Sequence, residues 1–125
     1  MGVWAAGNFD NDEAMDYAHE LVDQMIEQIQ ATVDSEHGME PDEPDSFRMM
    51  CNVDLMWLIG KHAGLSVLEA AKVDAWKSKY LSVWDDYIDG LEPEAEYKQA
   101  RRKVIVKTFD RLINLCRKQE RETET

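Results

Sequence analysis

The sequence predicts an all-α protein, a compact bundle of about four helices with a non-helical aromatic N-terminal lead-in packed on it. Apolar residues recur at intervals of three and four through four long stretches, as they do on the buried face of a helix. Glycine and proline separate these stretches, and no stretch shows the apolar-polar alternation of a strand. A chain of 125 residues is expected to form one domain, residues 1–125, that buries about two-thirds of its unfolded surface without metals or disulfides.

The lead-in, residues 1–11, contains two large aromatic side chains, Trp4 and Phe9. The glycines around them disfavour regular structure, and so short a segment has no means of covering two rings. We therefore expect both rings to be buried beneath helices formed later in the chain. Asp10 or Asn11 is expected to cap the first helix by accepting a hydrogen bond from its first-turn amides.

The first helix is predicted over residues 12–34, with an apolar side and an acidic side. Its apolar side consists of Ala18, Leu21, Val22, Met25, Ile26 and Ile29. The opposite side carries Asp12, Asp16, Glu20, Asp23, Glu27 and Asp34. This pattern predicts an amphipathic helix that exposes a purely acidic stripe.

Residues 35–45 hold five acids and two prolines, which predicts a mobile loop that extends the acidic surface. A second helix is expected from about Ser46, capped by Asp45 or Ser46 and ended by Gly60 or Gly64. It is apolar nearly all the way round, which predicts the most buried helix of the bundle.

A third helix is expected after Ser66 and is closed by Gly90, and a fourth is expected to have Pro93 in its first turn. Residues 120–125 are expected to be a frayed tail. The predicted inward faces are Val73, Trp76, Tyr80, Val83, Trp84, Tyr87 and Ile88 in the third helix, and Val104, Ile105, Phe109, Leu112, Ile113 and Cys116 in the fourth. The short connections predict up-down-up-down order with antiparallel neighbours.

The start of the chain also carries a family resemblance. Its signature residues are Gly2, Trp4, Gly7, Phe9, Asn11, Asp12, Ala14 and Asp16, and a further pair is Trp84-Asp85. This spacing resembles the opening of a bacterial family known as domain of unknown function 4259, which typically has a second glycine where this chain has Ala5. The resemblance implies a fold and a bacterial source, and it brings no established activity.

Charge is distributed very unevenly. Residues 1–47 contain 13 acids and no Lys or Arg, whereas residues 48–125 contain the other 13 acids and all 14 bases. Such a field repels nucleic acid and anionic membranes and attracts basic partners. Alternatively, the stripe is merely solvated, and the basic side of the fourth helix (Lys103, Lys107, Arg111 and Lys118) neutralises it if the first and fourth helices are neighbours.

Catalytic and cofactor motifs are absent from the sequence. It has no Gly-rich phosphate loop, no GxSxG and no HExxH, and its three histidines share no spacing. The nearest approach to a metal site is Asp16, His19, Glu20 and Asp23, answered by Asp85 and Asp89, but the first four point away from the apolar side. We therefore expect no metal, no cofactor and no enzymatic activity. Cys51 and Cys116 read as reduced core cysteines of a cytosolic protein.

Two further features have a structural and a functional interpretation. Asp54 lies on the most apolar helix, so it is expected to pair with Lys61 or with amides of the lead-in, or else to act as a catalytic carboxylate. The aromatic residues Trp57, Trp76, Tyr80, Trp84 and Tyr87 form either part of the core or a ligand cage. In both cases the spacing favours the structural interpretation.

The sequence thus favours a cytoplasmic, acidic protein-interaction module, in particular an immunity protein that neutralises a basic, nuclease-type bacterial toxin domain. The alternative is a small helical-bundle enzyme or ligand- or metal-binding protein that uses acids of the first or second helix. The predicted partner-binding residues are Asp12, Asp16, Glu20, Asp23, Glu27, Glu36, Glu40, Asp42, Glu43 and Asp45. Neither nucleic acid nor membrane is expected as a partner, and the oligomeric state is left open.

Overall fold

The computed structural model describes residues 2–65 and 68–124 and confirms a compact four-helix bundle. The helices are α1 (Asp12–Asp34), α2 (Pro44–Ala63), α3 (Ala70–Tyr87) and α4 (Ala95–Glu124), and a short 3₁₀ turn, Ile88–Leu91, follows α3. None of the helices in these residues has a stretch long and apolar enough to cross a bilayer.

The order of the helices around the bundle differs from the expected one. α1 packs on α2 and α3, and α4 packs on the same two helices. α1 and α4 therefore lie at opposite corners, as do α2 and α3, so the connection after α2 crosses the end of the bundle. Simple up-down-up-down order, in which every helix lies beside its successor, is wrong for α2 and α3.

Side chains of α4 hold this crossing connection in place. The Leu65 amide donates to Gln119 Oε1 at 2.8 Å, and the Ala70 amide at the start of α3 donates to Glu120 Oε1 at 2.8 Å. Leu65 and Leu68 are buried. α4 remains helical through residues 120–124 of the region predicted as a frayed tail, and Glu120 supplies a long-range cap. The predicted cap Ser66 lies outside the described residues.

The predicted inward faces of α3 and α4 are largely confirmed. Val73, Trp76, Tyr80, Trp84, Ile88, Ile105, Phe109, Leu112, Ile113 and Cys116 are all buried in one core with Val22 and Ile29 of α1. The exceptions are Val83, which is half-buried, and Tyr87 and Val104, which are 49% and 51% exposed. Burial raises the pKa of Cys116 to about 11.

The lead-in folds back on itself instead of inserting under the helices. Val3 forms an antiparallel bridge with Asn11, and the Trp4 amide donates to the Asp10 carbonyl at 3.0 Å. Trp4 is 56% exposed, so its predicted burial is wrong. Phe9 is half-buried and stacks on His62 with ring centroids 5.4 Å apart. The predicted cap is confirmed for Asn11, whose Oδ1 accepts from the Ala14 amide at 2.8 Å.

Among the described residues, α2 has more buried residues than any other helix, seven of its 20, as predicted, but one of its sides is exposed although it is apolar. Phe47, Leu55 and Leu58 are 51%, 43% and 48% exposed, and Cys51 is also exposed. The physical reason is the helix order: α2 packs extensively on α1 and α4 alone, so the side that carries these residues faces solvent although it is apolar. Gly64, with φ 76°, ends the helix as one of the two expected glycines.

Residues 35–43 are anchored to the bundle, contrary to the predicted mobile loop. Met39 is 6% exposed, and its carbonyl accepts a hydrogen bond from the hydroxyl of Ser46 at 3.3 Å. Pro44 occupies the first turn of α2, which starts from Glu43 without a side-chain cap. Ser46, predicted as a cap, is instead buried and bonded to the Tyr80 hydroxyl at 2.8 Å.

Candidate acidic interaction surface

The acidic stripe, defined here as Asp12, Asp16, Glu20, Asp23 and Glu27, lies on the solvent side of α1. All five residues are exposed, while Ala18, Val22 and Ile29 on the other side of the helix are buried. At the rise of an α-helix, these fifteen residue steps span about 22 Å. The stripe is therefore long enough to meet a sizeable part of a partner's surface.

Polar contacts on both edges of α1 fix its rotation. Gln28 Oε1 accepts from Asn52 of α2 at 3.0 Å, and Gln30 Oε1 accepts from the indole N–H of Trp76 of α3 at 3.2 Å. His19 Nε2 contacts the Ala63 carbonyl at the end of α2 at 2.8 Å. These contacts hold the intervening acidic side toward solvent.

No base of the described residues forms an ion pair with the stripe. Three bases of α4 have partners elsewhere: Lys98 with Asp89, Arg102 with Asp85 and Arg111 with Asp54. Because α1 and α4 lie at opposite corners, the basic side of α4 does not cover the stripe. Neutralisation of the stripe by α4, the alternative raised by the sequence, requires α1 and α4 to be neighbours, and they are not.

The acids predicted in residues 36–45 are in a different situation. Glu36, Asp42 and Asp45 are exposed, whereas Glu40 and Glu43 are half-buried. His37 lies 3.5 Å from Glu36 and 2.5 Å from Glu40, and Arg48 lies 3.5 Å from Asp45. This segment is thus partly occupied with local contacts, and the uncompensated charge is concentrated on α1.

Tyr17 is a residue of this surface that the sequence reasoning missed. Its side chain is 59% exposed and lies on α1 between Glu13 and Glu20, which are four residues before and three residues after it. Exposed tyrosines are enriched in protein interfaces because they offer a large rigid contact area and a hydroxyl. The available signal was its place on the polar side of an otherwise clean amphipathic helix.

Asp54 has a partner other than the two expected. Its carboxylate pairs with the guanidinium of Arg111 of α4, while Lys61 and the lead-in amides do not contact it. The Arg111 guanidinium carbon also lies 3.9 Å from the centroid of Trp57, and Lys61 Nζ lies 4.4 Å from the same centroid. Asp54 is therefore part of a contact between α2 and α4.

The groups weighed as a metal site are not brought together. His19 faces the end of α2, and Asp85 and Asp89 pair with α4. Within residues 2–65 and 68–124, no group of three acidic, cysteine or histidine side chains is placed to hold a metal ion.

The aromatic residues considered as a ligand cage also lie in different parts of the protein. Trp76, Tyr80 and Trp84 are in the core, whereas Trp57 is half-buried and Tyr87 is exposed. Burial raises the pKa of Tyr80, against the lowering effect of its hydrogen bond with Ser46. These rings therefore do not surround a common site.

Comparison with known proteins gives one match. Neither a curated protein nor a solved structure matches the chain. A family model does match, over residues 2–115, and so covers most of the chain, including the lead-in, the acidic stripe and the core of all four helices. The chain therefore belongs to the family described as Domain of unknown function (DUF4259).

Proposed function

We propose that this protein is an acidic interaction module that binds a basic protein, and specifically an immunity protein that neutralises a nuclease-type bacterial toxin domain in the cytoplasm. The observation that carries the proposal is the acidic stripe: five exposed carboxylates on one side of α1, without a base in ion-pair contact among the described residues. The ion pairs of the described residues all lie away from this stripe.

The physical argument rests on charge complementarity. A nuclease needs a basic groove to hold its substrate's phosphates, and an acidic surface that covers this groove gains association rate from long-range attraction. It also gains specificity, because juxtaposed like charges reject other partners. On the side of this protein, a basic partner relieves the mutual repulsion of the stripe. Tyr17 supplies an aromatic contact within the same surface.

The test is co-expression with a basic toxin domain encoded beside the gene for this protein. In the stripe variant, Asp16, Glu20, Asp23 and Glu27 are all replaced by Lys. In the matched control, four exposed acids of α3, its connection to α4 and the first turn of α4 are replaced by Lys: Asp74, Asp86, Glu92 and Glu96. Each reversal adds two charges, so both variants change the net charge from -12 to -4.

We expect the wild type and the control variant to protect the cells and to co-purify with the toxin domain, and the stripe variant to do neither. Far-UV circular dichroism checks that both variants remain helical. If the stripe variant protects and binds as well as the control, the acidic stripe is only a solvated face. If the basic toxin domain binds neither the wild type nor the control variant, the proposal of an immunity function is wrong.

A further inference from the structure

A small cleft lies where residues 41–47 meet the corner between α3 and α4. Its volume is about 280 Å³. The buried side chains of Tyr80, Trp84 and Ile88 form its base. Phe47, Leu91 and Tyr97 line it as well, although these three are 51%, 48% and 53% exposed. Three large apolar side chains that the core leaves half uncovered thus share one concave site.

The cleft is lined by two charged side chains, Arg101 and Asp42, which differ in their exposure to solvent. Arg101 is the only base that lines it, is half-buried, and forms no ion pair in the described part of the chain. Burial raises the pKa of the Tyr80 hydroxyl at the base of the cleft, and the positive charge of Arg101 nearby acts to lower it. Asp42 also lines the cleft but is exposed to solvent, where its charge is better screened. The less exposed charge in the cleft is therefore positive.

We propose that this cleft binds a small apolar monoanion, an aromatic carboxylate, with its ring between Phe47 and Tyr97 and its carboxylate on Arg101. The aromatic and aliphatic lining takes up the ring, and the guanidinium provides a planar pair of donors that matches a carboxylate. A cation of the same size lacks this partner, and a neutral amide gains less from it. The site is separate from the acidic stripe and does not rest on the proposed immunity function.

The experiment uses three probes of nearly equal shape: phenylacetate, phenylacetamide and phenethylamine. Binding is followed by ¹H–¹⁵N correlation spectra of the full chain, which locate the site as well as measuring affinity. For phenylacetate, with about ten non-hydrogen atoms, we expect a Kd of about 0.1 to 1 mM, with shifts centred on residues 91–101. Phenylacetamide is expected to bind about tenfold more weakly because it lacks the charge.

The variants test each part of the site. Arg101→Gln is expected to weaken phenylacetate about tenfold and to remove its preference over phenylacetamide. Arg117→Gln, at an exposed arginine of the same helix, is the matched control and is expected to leave binding unchanged. Asp42→Asn is expected to tighten phenylacetate about twofold by removing repulsion.

A second variant keeps the test valid if Arg101→Gln does not fold. Tyr97 is 53% exposed, so Tyr97→Ala leaves the core intact and is expected to weaken all three probes. The proposal is overturned if phenylacetamide or phenethylamine binds as well as phenylacetate, if Arg101→Gln binds it unchanged, or if the shifts scatter over the surface.

Discussion

Ser46 is a buried residue near the start of α2 whose hydroxyl contacts both the α1–α2 connection and Tyr80 of α3. It is 1% exposed, and its Oγ lies 3.3 Å from the Met39 carbonyl and 2.8 Å from the Tyr80 hydroxyl. Since Ser46 has one hydrogen to donate and the carbonyl can only accept, Tyr80 is the donor in the second bond. One serine thus anchors the α1–α2 connection and satisfies a buried tyrosine.

Ser46→Ala is expected to lower the free energy of unfolding by about 1 to 3 kcal/mol, because two buried polar groups lose their partner. Urea denaturation followed by circular dichroism measures this change. Ser82→Ala, at an exposed position of α3, is the control and is expected to be nearly neutral. Equal stability of the two variants would contradict the assigned role of Ser46.

The pair of Asp54 and Arg111 is partly open to water, with side chains 47% and 34% exposed. Screening by solvent keeps such a pair weak, so Asp54→Ala is expected to cost less than about 1 kcal/mol. Arg111→Ala is expected to cost more, because it also uncovers the ring of Trp57. Chemical denaturation measures the loss of stability in both variants. A larger loss for Asp54→Ala would show that the ion pair stabilises the protein more than the contact of Arg111 with Trp57 does.

At the scale of elements, the lead-in is a turn that starts α1, and its aromatic residues contribute unequally. Trp4→Ala is expected to cost less than about 1 kcal/mol, because the indole is 56% exposed. Asn11→Ala is expected to cost about 1 kcal/mol through loss of the cap to the Ala14 amide. Thermal unfolding compares the two variants. If Trp4→Ala lowers the free energy of unfolding by about 3 kcal/mol or more, Trp4 is a buried core residue after all.

How well each element was predicted follows from the kind of signal it carries. The bounds of α1 and its cap at Asn11 were predictable because a local cap and a two-sided pattern agree. The exposed apolar side of α2 was not predictable, because a helix that is apolar all round does not reveal which sides its neighbours will cover. That depends on the helix order, which sequence periodicity does not contain.

The same distinction applies to the candidate site. The outward direction of the acidic stripe followed from helical periodicity, and the structure exposes all five of its residues. The partner of Asp54 was missed because Arg111 lies on another helix, 57 residues away. Glu40 and Glu43 were not separable from their neighbours by sequence, because no periodic pattern orients a series of turns.

At the scale of the whole molecule, the stripe is a source of repulsion within α1. Successive acids of the stripe are three or four residues apart, and each such pair destabilises a helix by about 0.2 to 0.5 kcal/mol at low salt. Replacing Asp16 and Asp23 by Asn, and Glu20 and Glu27 by Gln, is therefore expected to raise the stability by about 1 kcal/mol. The gain should vanish in about 1 M salt, where the charges are screened.

Urea denaturation at low and high salt measures this difference. A gain of the same size at both salt concentrations would indicate a change in helix propensity instead of relief of repulsion. No gain at either concentration would show that the stripe carries no unfavourable charge for a partner to relieve.

The central claim is that the acidic stripe attracts a basic partner, and the association rate constant as a function of ionic strength tests it most directly. The measurement compares the wild type with the stripe variant and the matched control, each binding the basic toxin domain in stopped-flow mixing. For the wild type, the rate constant should fall steeply as salt is added. The stripe variant should associate at least about tenfold more slowly at low salt and show a flatter dependence, while the control should stay close to the wild type. Equal rates and equal salt dependence for the stripe variant and the wild type would contradict the claim.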